Sequence, residues 1–178
     1  MLNIMKLTHT DAERRYNVLR TQAIRFAQSD LNTRNIHNLK LTTVTSAALQ
    51  ETKKWFSSST RKVNWDWIKE YGYFKFSYPK RFEIALWQKS DLISISLGRP
   101  TYNGSNLRLD VIEARPKDLG DRPGVFDEIL LAYGVYARMI GATGIRIMNP
   151  INNEVRAYYE SFGYKYIPKG DCLYREVI

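Results

Sequence analysis

Two carboxylates and one phenolic hydroxyl are the groups in this sequence best suited to move protons. Asp110 and Glu113 lie in the segment LRLDVIEA, and a carboxylate beside a reacting group can accept a proton. Tyr159 lies in NNEVRAYYESFGY; an unperturbed tyrosine titrates at about pH 10, so its hydroxyl can donate at neutral pH. These residue types indicate acid–base chemistry at a site built from two separate segments.

Four elements must position these side chains. Residues 107–114 predict a strand, bounded by an Asn-Gly turn before it and a proline after it. Residues 124–141 carry apolar side chains at helical spacing, residues 144–148 read as a second strand, and residues 152–162 as a short helix. Gly163 stands where the left-handed residue after a helix belongs.

The two carboxylates occupy strand positions of opposite parity. Successive strand residues point to opposite faces, so Asp110 and Glu113 share a face only if a bulge intervenes. With a bulge, either residue could act as the proton acceptor. The alternative is that one carboxylate pairs with Arg108 or Arg146 across the sheet.

The remaining segments predict further strands and helices. Residues 82–88 and 92–99 alternate in polarity and, with the strand 107–114, predict an antiparallel meander, whereas YKYIP and CLYREVI predict a terminal hairpin. Thr10 and Glu13 fit a capping box that opens a helix reaching about Gln28.

A second helix is expected over residues 46–56. The aromatic residues interleaved with lysine over residues 63–76 suit a core or pocket wall better than a base-stacking platform.

Composition limits the function classes. The 178-residue chain is 44% hydrophobic and 25% charged, as soluble globular proteins are, and it has no long apolar run or signal-peptide pattern. The single Cys172 excludes an internal disulfide, and with only two histidines we expect no metal site. We therefore expect a cytoplasmic protein without membrane association; the sequence leaves a homodimer open.

The net charge of +9 lies entirely in the first half. Residues 1–90 hold 16 Lys and Arg against 7 Asp and Glu, and the rest of the chain holds 11 of each. This asymmetry favours an acidic acceptor or nucleic acid as partner, the alternative being a solvated basic surface. The cationic side chains expected to meet such a partner are Arg14, Arg15, Arg20, Arg25, Lys53, Lys54, Arg61 and Lys62.

The closing segment resembles the GNAT-type acyltransferases, which use acetyl-CoA or a related acyl-CoA. In that family an Asn follows the strand after the long helix, and a short helix ends in Tyr-x-x-x-Gly-aromatic. The matching residues here are Asn152, Val155, Tyr159, Gly163 and Tyr164. The resemblance extends from about residue 82 to the C-terminus.

The resemblance implies an α/β (α+β) fold with a mixed, mostly antiparallel central sheet flanked by helices. We expect a single domain over 1–178, with a helical, basic part at 1–81 and a cofactor-binding part at 82–178. It also implies acyl transfer from acetyl-CoA or another acyl-CoA to an amine on a protein, an aminoacyl-tRNA or a small molecule. Tyr159 is then the acid for the departing thiolate and Glu113 or Asp110 the base, and the residues expected to bind the cofactor are Ile112, Ala114, Arg122, Gly124, Val125 and Asn152.

The expected cofactor loop departs from the family pattern of Arg or Gln, two residues, Gly, one residue, then Gly or Ala. Aligning Gly124 with the first glycine places Phe126 at the Gly/Ala position and Asp121 at the Arg/Gln position. Sliding by two residues aligns Gly120 and Gly124 but puts Arg122 at the middle glycine. Asp118 and Asp121 would oppose a pyrophosphate, and nearby cations could offset them.

Two other functions stay open. One is a GNAT-shaped binding protein without catalysis, whose basic first half docks on nucleic acid or an acidic protein. The other is a GNAT-like enzyme that modifies a nucleobase with a donor other than acetyl-CoA.

Overall fold

Residues 8–177 are described by a computed structural model, and within this part the chain forms five α-helices and seven β-strands. The helices are α1 (His9–Thr33), α2 (Ser46–Lys53), α3 (Trp67–Ser77), α4 (Phe126–Met139) and α5 (Asn153–Glu160). The strands are β1 (Leu39–Thr42), β2 (Phe82–Gln88), β3 (Asp91–Pro100), β4 (Asn106–Ala114), β5 (Gly144–Met148), β6 (Lys165–Ile167) and β7 (Cys172–Glu176). None of the helices in this part is long and apolar enough to cross a membrane.

All seven described strands belong to one sheet, in the order β1-β2-β3-β4-β5-β7-β6. The meander β2-β3-β4 and the hairpin β6-β7 are antiparallel, as predicted. Strands β4 and β5 are parallel because α4 carries the chain back across the sheet between them. The expected mixed, mostly antiparallel sheet flanked by helices is confirmed.

The two faces of the sheet carry separate apolar clusters. Helices α1 and α4 pack on one face, which includes Leu31, Leu109 and Ile129. On the other face the buried aromatic side chains of α3 pack with Leu97; they are Trp67, Tyr71 and Phe74. The aromatic segment 63–76 therefore builds a core wall, as predicted.

Helix α1 begins earlier and ends later than its sequence pattern predicts. The predicted Thr10–Glu13 capping box is wrong: Thr8 is the N-cap, and its hydroxyl accepts from the Asp11 N–H at 3.2 Å. The helix continues past Gln28 because that side chain accepts from the Leu41 N–H at 2.8 Å, which ties the helix to β1. Capping by Thr8 leaves Glu13 free for tertiary contacts.

Arg20 is not at the surface, contrary to the prediction of a basic face on α1. Its side chain is fully buried and pairs with Glu13 at 2.5 Å. Glu13 also pairs with the buried Arg81 at 2.7 Å, and Arg81 pairs with Glu83. This network neutralises two arginines inside the protein, so α1 presents only Arg14, Arg15 and Arg25 to solvent. Contact of the first half with an acidic partner stays a prediction.

Candidate active site

A cleft opens where β4 and β5 separate. Their pairing runs from Asn106 opposite Gly144 to Leu109 opposite Ile147. Beyond that point β4 continues to Ala114 without pairing to β5, although it stays paired with β3. The cleft has a volume of about 900 Å³. Its walls are β4, the loop 115–126, the end of β5, α5 and the segment 59–65. The separation leaves the backbone groups on one edge of β4 without a neighbouring strand.

A β-bulge at Asp110 decides which way the carboxylates point. In the β3–β4 ladder Val111 lies opposite Leu97 but Leu109 lies opposite Gly98, so Asp110 is an extra residue. Before the bulge the odd-numbered residues face α4, and beyond it they face α3. Leu109 accordingly packs on the α4 side, whereas Glu113 accepts a hydrogen bond from Trp67 of α3 on the other side. The bulge thus brings Asp110 and Glu113 to one face of the sheet, and both line the cleft.

Glu113 is buried and fully engaged. Its two carboxylate oxygens accept from Arg61 Nε at 2.7 Å and Arg61 Nη2 at 3.1 Å, and the Trp67 indole N–H donates at 2.6 Å. The predicted pairing partners Arg108 and Arg146 are not the ones it uses. Three hydrogen bonds thus occupy its two oxygens, and the carboxylate holds Arg61 and Trp67 in place.

Asp110 is held less completely. Its Oδ1 accepts from Arg108 at 2.9 and 2.5 Å, so the alternative pairing with Arg108 is realised here. Its Oδ2 lies 3.4 Å from Arg99 Nε and accepts no hydrogen bond from residues 8–177. Burial raises the pKa of Asp110 above its ordinary value, and this effect outweighs the two guanidinium groups, which lower it. A carboxylate with a raised pKa and a free lone pair is suited to accept a proton.

Tyr159 forms part of the opposite wall. Its ring packs 4.5 Å from that of Phe126, centroid to centroid, and the side chain is 8% exposed. Burial raises the pKa of Tyr159 to about 12, so the hydroxyl stays protonated at neutral pH. Helix α5, which carries it, is capped by Asn152, whose Oδ1 accepts from the Val155 N–H at 2.8 Å. The structure thus shows Asn152 as a helix cap, and its expected contact with the cofactor stays a prediction.

The N-terminus of α4 faces the cleft without a side-chain cap. Val125 is the N-cap residue and supplies no hydrogen bond, which leaves the first N–H groups of the helix available to an anion. A Cβ atom added at Gly124 would meet no atom of the described residues within 4 Å, so these residues leave the approach to this terminus open. Two carboxylates in the first turn of α4, those of Asp127 and Glu128, would repel an anion bound there.

Arg122 is a cation of the cleft wall, in the loop that leads into α4. Its Nε donates to the Arg115 carbonyl at 2.8 Å, and no carboxylate in residues 8–177 pairs with its guanidinium. Burial lowers the pKa of Arg122 below its ordinary value, and the neighbouring Arg115 adds to this effect. Asp118, which the sequence placed against a pyrophosphate, is turned away: its Oδ1 accepts from Ser58 and Thr60 at 2.5 and 2.6 Å.

Ile112 and Ala114 offer backbone groups to the cleft. The Arg115 N–H donates to the Ile93 carbonyl of β3 at 2.9 Å. Hydrogen-bonding direction alternates along a strand, so Ile112 and Ala114 point their N–H and C=O groups away from β3. That direction is the gap left by β5. The free β4 edge is therefore available for main-chain pairing with an extended ligand.

The segment 59–65 supplies residues of the cleft that the sequence did not assign to the site. Arg61 anchors it on Glu113, and the Arg61 Nη2 also donates to the Trp65 carbonyl at 2.5 Å. Trp65 lines the cleft, and its indole Nε1 is buried with no hydrogen-bond partner in the described part of the chain. The density of cationic and aromatic residues was the only sequence signal for this wall, and Arg61 is thereby removed from the basic surface expected to meet an acidic partner.

Comparison with known proteins identifies the architecture. No protein-family model matches the chain, and neither does any curated protein. Many solved structures match. A GNAT-family acetyltransferase from Staphylococcus aureus has a TM-score of 0.61 at 11% identity, with 79% of this chain and 99% of that chain covered. The ribosomal-protein-S18-alanine N-acetyltransferase from Escherichia coli has a TM-score of 0.56 at 12% identity, covering 78% and 94%.

A third match was solved with coenzyme A. It is the PaiA N-acetyltransferase from Thermoplasma acidophilum, with a TM-score of 0.52 at 13% identity, covering 78% of this chain and 98% of that chain. Identities this low establish the architecture alone. The chain has the fold of the GNAT N-acetyltransferases.

Proposed function

We propose that this protein transfers an acyl group from acetyl-CoA or another acyl-CoA to an amine. The observation that carries the proposal is the cleft at the separation of β4 and β5, which has the open α4 terminus at one end and Asp110 and Tyr159 in its walls. A donor of hydrogen bonds to anions, a free strand edge, a base and an acid meet in one cavity. Its volume is within the range of small-molecule sites.

The residues present fit a coenzyme with a pyrophosphate and an extended amide arm. The first N–H groups of α4, open beside Gly124 and Val125, and the unpaired Arg122 guanidinium would hold the pyrophosphate. The β4 edge at Ile112 and Ala114 would pair with the amides of the arm. Bound acyl-CoA would supply a thioester whose carbonyl carbon the amine attacks.

The chain's own side chains then divide the proton transfers. Asp110 takes the proton that the amine loses, because its Oδ2 is free and its pKa is raised. Tyr159 donates to the departing sulfur, because its hydroxyl remains protonated. Glu113 positions the segment 59–65 through Arg61 and is not the base in this proposal.

Calorimetry and one conservative substitution test the function. Acetyl-CoA, longer acyl-CoAs and free CoA are titrated into the protein, and turnover is followed by thiol release with a panel of amines. We expect binding of at least one acyl-CoA, and Tyr159→Phe lowers turnover by roughly a hundredfold while leaving the dissociation constant near that of the unmodified protein. Tyr158→Phe is the matched control, because Tyr158 lies beside Tyr159 and is 45% exposed. Absence of heat from every acyl-CoA would favour the non-catalytic binding protein.

A further inference from the structure

Three arginines lie side by side across the sheet, next to Asp110 of the cleft wall. Arg99 of β3 is opposite Arg108 of β4, and Arg108 is opposite Arg146 of β5. Residues directly opposite one another share a face, so the three guanidinium groups project from the same side. Their Cα atoms span roughly 10 Å, twice the strand spacing. We call these residues the arginine row.

The row is on the face opposite α4. The Arg99 guanidinium lies 4.2 Å from the centre of the Tyr78 ring, and Tyr78 packs with the α3-side cluster. Helices α1 and α4 cover the other face. The coenzyme pyrophosphate is proposed to bind at the α4 terminus. A molecule bound to the arginine row would therefore contact β4 from the other face of the sheet.

One carboxylate serves the whole row. Asp110 pairs with Arg108 and lies 3.4 Å from Arg99, both of which are about one quarter exposed. Arg146 has no ion pair among the described residues, and its Nε is buried without a hydrogen bond. Glu176 lies on β7 opposite Gly144, two pairs from Arg146, and no ion pair joins it to Arg146 among the described residues.

Such an arrangement is unfavourable for folding alone. Like charges directly opposite on a sheet destabilise it, and a buried polar nitrogen without a partner costs free energy. Elsewhere in this protein buried arginines are paired with carboxylates: Glu13 and Glu83 neutralise Arg20 and Arg81. Among the described residues, Arg146 of the row has no such carboxylate partner.

We propose that the arginine row binds the anionic group, a carboxylate or a phosphate, of the acyl-accepting amine. Guanidinium groups bind both anions through paired hydrogen bonds. Arg108 is two residues from Asp110 on the same strand, so the anion and the amine would lie roughly 7 Å apart. The acceptor class is therefore a small amine that carries an oxyanion a few bonds away. This inference rests on the proposed acyl transfer.

Acceptor specificity tests the inference. β-Alanine and γ-aminobutyrate carry a carboxylate, O-phosphoethanolamine carries a phosphate, and β-alaninamide and spermidine carry no anion. We expect kcat/KM to favour an anionic acceptor over the amide at least tenfold, and the carboxylate and phosphate arms identify which anion is used. Arg146→Gln should abolish most of this preference through KM, and Arg146→Lys should retain part of it. Equal use of β-alanine and its amide, or a preference that survives Arg146→Gln, would overturn the inference.

A binding measurement separates this inference from the acyl-transfer proposal. Inorganic phosphate and acetate are titrated into the protein, once without CoA and once with it, while the side-chain NMR signal of Arg146 is followed. Arg146→Lys identifies that signal by its loss. A saturable shift supports the row as an anion site even if no acceptor turns over. No shift at tens of millimolar overturns it, whether or not acyl-CoA binds.

Arg25→Gln is the matched control for charge removal, since Arg25 is exposed on α1. We expect the melting temperature of Arg146→Gln to equal or exceed that of Arg25→Gln, because the substitution relieves a like-charge contact. A large fall in the melting temperature would show that Arg146 has a structural role and would contradict the inference.

Discussion

Replacing Glu113 with glutamine should cost stability far more than catalysis. The side chains of Glu113 and Arg61 are 2% and 14% exposed, so both charges of the pair are largely removed from water. Removing one partner of a buried pair costs about 3–5 kcal/mol. Glutamine keeps an acceptor for the Trp67 indole, so we expect the free energy of unfolding to fall by about 2–3 kcal/mol, at or just below the lower limit of that range.

Urea unfolding followed by tryptophan fluorescence measures this loss. With a slope of about 2 kcal/mol per molar urea, the midpoint should fall by about 1–1.5 M. Glu51→Gln is the matched control: Glu51 pairs with Lys54 at 2.8 Å, but Lys54 is 67% exposed. An exposed pair contributes little, so the control should shift by less than about 0.5 kcal/mol.

The same variants decide between the two carboxylates. Asp110→Asn should abolish most turnover and lower the urea midpoint less than Glu113→Gln does, because burial already disfavours the Asp110 carboxylate. Glu113→Gln should retain turnover at temperatures where it is folded. If Glu113→Gln unfolds like the unmodified protein while its turnover collapses with acyl-CoA affinity intact, Glu113 is the base and our assignment is wrong.

Two further predictions follow from burial and close packing. The pKa of Asp110 is raised, so turnover should rise with pH through a midpoint above the ordinary aspartate range. Folding favours the protonated form of Asp110. The stability that this carboxyl group contributes is therefore present at low pH and is lost as the pH rises through the same midpoint. A pH–rate profile with its acidic limb at or below pH 4 would contradict this. Gly98→Ala should lower the melting temperature by roughly 6–12 °C, equivalent to about 3 kcal/mol of overpacking, because its new methyl group would lie 2.1 Å from the Arg108 carbonyl oxygen. Gly134→Ala in α4, where nothing lies within 4 Å, should not lower it, and equal effects of the two substitutions would show that the bulge relaxes freely.

The sequence by itself determined the elements whose patterns are local. Polarity alternation located β2 and β3. The Asn103–Gly104 turn and Pro116 bounded β4, and that turn joined β3 and β4 into the meander. Apolar residues at helical spacing located α4, and Asn152 marked the start of α5. These features depend on neighbours a few residues apart, which the sequence displays directly. The resemblance of the closing segment then indicated the architecture that the structural matches establish.

Tertiary structure alone decided where the charged side chains went. Arg20 is buried because Glu13 and Arg81, which lies 61 positions further along the chain, surround it; helical spacing alone suggested a surface residue. Glu113 is neutralised by Arg61, which lies 52 positions away, and local sequence carries no signal for such a pair.

The bulge at Asp110 likewise depends on how β4 registers against β3, and the arginine row on how three strands align. Strand register is set by the burial of whole faces and by ladders between distant segments. A single residue's type therefore specifies what chemistry it can do, and only the folded register specifies which partner it meets.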